Sequence, residues 1–132
     1  MSDAVLDASA VLALMTREAG HEAVLAVMPG ALVSAVNLAE VLAKLHDRGM
    51  PPEVARRLTD ALGLVTVDFD AEAAAETARL RDATRAAGLS LGDRACLALA
   101  RRRGCPALTA DAAWEAVADA AGVTVHNIRP RT

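Results

Sequence analysis

Asp7, Glu40, Asp93 and Asp111 are the residues whose types and spacing suit chemistry. Two carboxylates ~5 Å apart repel by about 3 kcal/mol at an effective dielectric of 20, so four gathered in one place do not all stay ionised without a cation. A ligand set made only of oxygen selects a hard ion such as Mg2+ or Mn2+. Such an ion can activate water and hold a phosphate oxygen, which is what phosphodiester hydrolysis requires. Metal-free acid–base routes are poorly supplied: His21, His46 and His126 are scattered and form no triad, and Lys44 is the only lysine. Cys96 and Cys105 have no histidine nearby at zinc-ligand spacing, so they read as buried free thiols of a reducing compartment.

Each acid also has a plain structural explanation. Asp7 and Asp111 are placed to cap the helices that follow them, and Asn37-x-x-Glu40 and Ser90-x-x-Asp93 resemble capping boxes. Asp93 strains that explanation. It lies in the first turn of LSLGDRACLALA, which is apolar on most faces, and an ionised carboxylate buried there needs a partner or a cation. Arg94 is next in sequence but projects about 100° around the helix. Glu40 points away from the stripe of Leu38, Val41, Leu42 and Leu45, which leaves it free to face a cleft.

The elements that must position these acids alternate between strand and helix. Residues 4–6, 31–33, 64–67, 107–109 and 123–126 read as strands. Helices are expected over 8–15, 20–27, from Leu38 to near Gly49, from Pro52 through Leu62, from a cap at Asp70 to Gly88, over 91–103 closed by Gly104, and over 112–121. Strands separated by helices imply parallel crossovers and an α/β sandwich, with the ligand site beyond the carboxyl ends of the strands. Asp7 and Asp111 each follow a strand by one or two residues, which puts them on that edge together. Trp114 reads as a core anchor of the final helix.

With 132 residues the chain fits one domain. Trp114 and Phe69 are its only aromatics, so stacking platforms of the kind single-strand-binding folds use are not supported. Residues 1–11 lack the basic and apolar regions of a signal peptide, and no run approaches the ~20 apolar residues of a membrane span; a cytoplasmic location is expected. Net charge is −3, but the four acids account for −4 of it, so the rest of the chain carries +1 and a nucleic-acid partner stays open. Arg94 and Arg17 are candidate phosphate contacts near the site edge. Arg101–Arg103 reads as a solvated C-terminal helix turn.

Four segments carry a resemblance: VLDASAVLAL (Val5–Leu14), SAVNLAEVLAKL (Ser34–Leu45), LSLGDRACLALA (Leu89–Ala100) and LTADAAW (Leu108–Trp114). In this order, with an acid in each, the chain resembles the PIN-domain family, closest to the VapC-type ribonuclease toxins of toxin–antitoxin systems. The resemblance implies one PIN-like nuclease domain over residues 1–132, a three-layer α/β sandwich with a central parallel sheet flanked by helices, and Mg2+- or Mn2+-dependent cleavage of RNA. It implies that Asp7, Asp93 and Asp111 ligate metal, that Glu40 ligates it or acts through water, and that Ser9 and Thr109 orient the acids. It further implies a homodimer and a small antitoxin protein as partners, or else a solitary RNA-processing enzyme. The sequence adds only that Val36, Ala39 and Ala43 extend the apolar surface of their helix beyond one stripe.

Rival readings come from other classes. A phospho-receiver domain shares the alternating pattern and has an acid after its first and third strands, here Asp7 and Asp68. It wants paired acids at the first position and a late lysine, and this chain has Ala8, Ser9 and only Lys44. A haloacid-dehalogenase-type phosphatase wants Asp-x-Asp where this chain has Asp7-Ala8-Ser9. A catalytically idle interaction module would have little reason to keep all four acids.

Overall fold

In the computed structural model, residues 3–129 are described. Among them, five short strands form one all-parallel sheet: β1 (Val5–Leu6), β2 (Leu32–Ser34), β3 (Val65–Val67), β4 (Ala107–Thr109) and β5 (Val125–Asn127), in the order β3-β2-β1-β4-β5. The register pairs Val5 with both Leu32 and Ala107, so the shortest strand lies at the centre. The helices are α1 (Ala8–Thr16), α2 (His21–Leu25), α3 (Ala35–Asp47), α4 (Pro52–Ala61), α5 (Ala71–Arg79), α6 (Arg81–Thr84), α7 (Leu91–Arg103) and α8 (Ala118–Ala121).

Strand residues point alternately to opposite faces of a sheet, and the core follows that alternation. Leu6, Val33 and Leu108 pack with Val11, Leu12, Val24, Val41 and Leu45 of α1, α2 and α3. Val5, Leu32 and Ala107 pack on the other face with Leu80, Leu97, Leu99, Trp114 and Val117. Both faces of the inner strands are therefore covered, as expected for a parallel sheet, and the three-layer sandwich is the observed architecture. No helix among the described residues is long and apolar enough to cross a membrane.

Two expected helices are not continuous. The helix from Asp70 to Gly88 is split into α5, α6 and a 3-10 turn at Arg85–Ala87. Thr77 and Thr84 are buried and turn their hydroxyls back onto the carbonyls of Ala73 and Leu80 at 2.7 Å, an arrangement that bends helices. The helix expected over 112–121 begins as a 3-10 helix, Ala112–Val117, and only then becomes α8. Trp114 and Val117, three apart, are its buried residues, a spacing that suits three residues per turn. The last strand starts two residues later than expected, because the Val123 amide bonds back to Ala118 O at 3.1 Å, closing α8 instead of joining the sheet.

Trp114 is fully buried, and its indole Nε1 has no hydrogen-bond partner among the described residues. Trp114→Ala should cost about 3–5 kcal/mol. Trp114→Phe should cost far less, because loss of ring volume is offset by removal of an unsatisfied donor worth ~1–3 kcal/mol. Urea unfolding checks both; a loss for Trp114→Phe as large as that for Trp114→Ala contradicts this.

Candidate active site

The chain moves outward from β1 to β2 and β3, then returns to place β4 on the other side of β1. This reversal of strand order is a topological switch point, and the carboxyl ends of β1 and β4 border the crevice it opens. Asp7 follows β1 directly, and its backbone N–H donates to Leu108 O at 3.1 Å, which carries the ladder one residue further. Asp111 stands two residues beyond β4.

Asp7 is 5% exposed. Its Oδ1 accepts from Ser9 Oγ at 2.7 Å and Ala10 N at 2.8 Å, and its Oδ2 accepts from Thr109 Oγ1 at 2.6 Å. The two hydroxyls tie Asp7 to the β4 loop: Ser9 Oγ accepts from Ala110 N at 2.9 Å and Thr109 Oγ1 from Asp111 N at 3.0 Å. Ser9 and Thr109 thus each bond both the Asp7 carboxylate and the β4 loop, and the Asp111 amide lies only two hydrogen bonds from Asp7. Burial pushes the Asp7 carboxyl above its ordinary value of 3.8. The bonds from Thr109, Ser9 and Ala10 pull against this, and the charge of Asp93 adds to it.

Asp93 and Glu40 come to the same place from α7 and α3. The fully buried Cys96 lies in the field of Asp7, Asp93 and Glu40; burial first, and then these charges, push its thiol well up. Asp93 forms a capping box with Ser90, with Ser90 N donating to Asp93 Oδ2 at 3.0 Å and Asp93 N to Ser90 Oγ at 3.2 Å. Asp111 is exposed at the rim and caps the 3-10 helix through Ala113 N at 2.9 Å. All three aspartates are therefore caps. Asp93 Oδ1 and Asp111 Oδ2 accept no hydrogen bond among the described residues.

The expected Asn37–Glu40 capping box does not form. Ser34 caps α3 instead, accepting from Val36 N at 3.2 Å, because β2 runs straight into the helix. Asn37 is buried one turn in, where its Nδ2 donates to Glu40 Oε1 at 2.9 Å and to Gly92 O at 3.0 Å. It holds Glu40 and clasps α3 to the first turn of α7. Glu40 is half-buried and its carboxylate lies against Gly92, where an added Cβ would come within 2.7 Å of Glu40 Cδ. Sequence reasoning missed the role of Gly92 and the clasp that Asn37 makes to it; the only available signal was a glycine inside a helix, directly before an acid.

Other expectations fall outside the site. Arg17 sits at the far end of α1, about 15 Å along the axis from Asp7. Arg102 pairs with Glu72 at 3.8 Å and Glu76 at 3.7 Å, joining α7 to α5. Asp70 caps α5 through Ala73 N at 2.9 Å. Asp68 follows β3, which β2 separates from β1; a receiver fold, in the order 2-1-3-4-5, would make those strands neighbours.

The donor chemistry of the site fits a hard divalent cation. None of Asp7, Glu40, Asp93 and Asp111 forms an ion pair among the described residues, so a buried carboxylate and its acidic neighbours lack a protein counter-charge. No three His, Cys, Asp or Glu side chains among the described residues already stand in a geometry that holds an ion.

Two outcomes follow from this geometry. Because its folded-state value is raised, Asp7 contributes stability that is fully present below about pH 4 and is lost as pH rises through that raised value. Without added metal, Asp7→Asn should melt above the native protein near neutral pH, with the gap closing as pH falls toward 4; a variant that melts lower at every pH contradicts this. Gly92→Ala should leave stability within ~1 kcal/mol, since helix propensity improves and the obstructing atoms end a flexible side chain. It should displace Glu40, which NMR would read as a shift of the Asn37 side-chain amide; an unmoved signal would show that Glu40 is not held there.

A PIN domain family profile matches residues 4–120. A comparison with curated proteins gives no match. Among solved structures, the fold is similar to VapC20 of Mycobacterium tuberculosis, described as a sarcin-ricin loop cleaving toxin, with TM-score 0.73 and 18% identity over 96% of this chain and 99% of that one. It is similar to DNA-bound VapBC from Salmonella typhimurium, with TM-score 0.71 and 17% identity over 96% and 98% of the two chains. It is also similar to FitAcB from Neisseria gonorrhoeae, with TM-score 0.65 and 21% identity over 95% and 97%. At these identities the structural likeness speaks for the fold, and with the profile spanning most of its length the chain belongs to the PIN domain family.

Proposed function

We propose that the chain, as a single nuclease domain over residues 1–132, is a metal-dependent endoribonuclease and the toxin of a toxin–antitoxin pair. The observation that carries this reading is the acid site at the β1/β4 crevice, which has a buried carboxylate, three further acids and no protein counter-charge among the described residues. Family membership supports a nuclease, and similarity to solved toxin–antitoxin complexes supports the biological role.

Asp7, Asp93 and Asp111 would hold Mg2+ or Mn2+, with Glu40 as a further ligand or acting through water. The bound ion would supply polarisation of a phosphate oxygen and a lowered pKa of water. Ser9 and Thr109 keep the Asp7 carboxylate from rotating, and rotation of the Asp93 and Asp111 side chains, which are half-buried and exposed, lets their unbonded oxygens converge. Glu40, fixed by Asn37, orients the attacking water. In-line attack by water breaks the bond from phosphorus to the 3′-oxygen and leaves a 3′-hydroxyl and a 5′-phosphate. Attack by the 2′-hydroxyl of the RNA would leave a 2′,3′-cyclic phosphate instead. The partners are RNA, an antitoxin that covers the site and a second copy of the chain, in the cytoplasm. The exposed Ala39 and Ala43 and the half-buried Val36 of α3 are available to such contacts.

Asp7→Asn and Asp93→Asn should each lower cleavage of single-stranded RNA by more than about 100-fold, and Ser9→Ala or Thr109→Val by the roughly 10–100-fold typical of residues that orient a ligand. Mn2+ at a hundred times its Kd should stabilise the native protein by about 2.7 kcal/mol and leave Asp7→Asn unchanged. Full cleavage in excess EDTA, or cyclic-phosphate products, would overturn this mechanism.

A further inference from the structure

A second charged feature flanks the acid site. Arg81, Arg85 and Arg94 line one cavity with Thr84, Gly88 and Leu89, and no carboxylate is among its lining residues. Arg81 opens α6 and Arg85 opens the 3-10 turn that follows it, and both line the cavity, so like charges are gathered there. Arg81 and Arg94 form no ion pair among the described residues. Among the described residues Arg85 pairs with Asp82, at 3.2 Å, with both side chains largely in solvent, a pair worth little and easily exchanged.

The position of the cavity gives this cluster a purpose. Arg94 follows Asp93, so their Cα atoms are ~3.8 Å apart and their side chains diverge by about 100° around α7, one toward the acids and one into the cavity. The 3-10 turn carrying Arg85 packs against the 3-10 helix that Asp111 caps. The cavity therefore adjoins the acid site on the side of Asp93 and Asp111. Guanidinium groups bind phosphate through paired N–H donors, and a strand whose scissile phosphate lies at the acids carries further phosphates on either side.

We propose that the Arg81–Arg85–Arg94 cavity is a subsite for a non-scissile backbone phosphate of the RNA strand. The proposal rests on the ribonuclease reading and adds to it a binding element that the acids do not supply. Arg57, exposed on α4, provides a charge control.

The test uses the full chain and a fluorescein-labelled single-stranded RNA oligonucleotide. Binding is measured by anisotropy over a salt series in an Asp7→Asn background, and cleavage is measured with Asp7 intact. Arg81→Ala/Arg85→Ala/Arg94→Gln should weaken binding at low salt by roughly tenfold or more. It should flatten the plot of log affinity against log salt by about 0.7, the value for one phosphate of a single strand, and raise KM in proportion while kcat stays within about twofold. Arg57→Ala should change none of these. Because Arg94 is half-buried, the double change at the exposed Arg81 and Arg85 gives the same reading without risk to the fold. Cleavage by the native chain with KM and salt slope unmoved by these changes overturns the subsite and leaves the ribonuclease reading intact. RNA binding that depends on these arginines in a chain that cleaves no RNA supports the subsite and ends the ribonuclease reading.

Discussion

The buried carboxylate of Asp7 is the constraint around which the centre of this structure is arranged. It ends the central strand, is almost wholly removed from water, and receives three hydrogen bonds from two separate segments of chain. An unpaired buried charge is expensive, so each of those donors is needed, and each fixes something else. Ala10 N starts α1. Thr109 Oγ1 joins β4 to β1 and also receives the amide of Asp111. Ser9 Oγ receives the amide of Ala110. The bonds that make the charge tolerable therefore also set where the β4 loop, and Asp111 with it, leaves the sheet. They reduce the burial penalty without cancelling it, since the carboxyl remains raised. What is left is a buried carboxylate with no protein counter-charge among the described residues.

Capping and metal binding looked like competing explanations of the aspartates, but the geometry makes them compatible. A carboxylate has about four acceptor positions, and a cap uses one or two. Asp93 gives Oδ2 to the Ser90 amide, and Asp111 gives Oδ1 to Ala113. The remaining oxygens stay available on side chains whose backbones are anchored at the starts of regular elements. Sites built on such elements are held more closely than sites on loops. Helix N-termini also carry partial positive charge, which moderates repulsion between acids gathered there before any ion arrives.

Much of this was legible because it is local. The strand-then-acid pattern at Asp7 and Asp111, the Ser90–Asp93 box and the Asp70 cap are each written within four residues, and α7 ends at Gly104 as expected. What was not legible depends on contacts distant in sequence. Asn37 looked like the start of a capping box; its partner is the carbonyl of Gly92, 55 residues away. Gly92 looked like a weak helix residue; it is small because Glu40 occupies the space a side chain would fill. The break at Leu80 was hidden because a continuous apolar stripe on 70–88 suits one long helix as well as two short ones. Nothing local marks which threonines bond back to the main chain. Arg17 was assigned to the site edge by closeness in sequence to Asp7, and the rise of α1 carries it to the opposite end.

Charge layout reconciles an acidic chain with an anionic polymer as substrate. The overall charge of −3 is concentrated where a divalent ion would neutralise it, and exposed arginines stand to one side. Depth points the same way. Asp111 is exposed, Asp93 and Glu40 are half-buried, and only Asp7 is deep, so the acids form a graded rim and not an enclosed pocket. Sites for small molecules bury most of their ligand, whereas a polymer must lie across its site and continue past it on both sides. A shallow rim excludes little water and grips a substrate weakly at the reacting phosphate. For the RNA proposed as substrate, binding strength would then come from phosphates further along the strand, a demand that positive side chains outside the acid site are suited to meet.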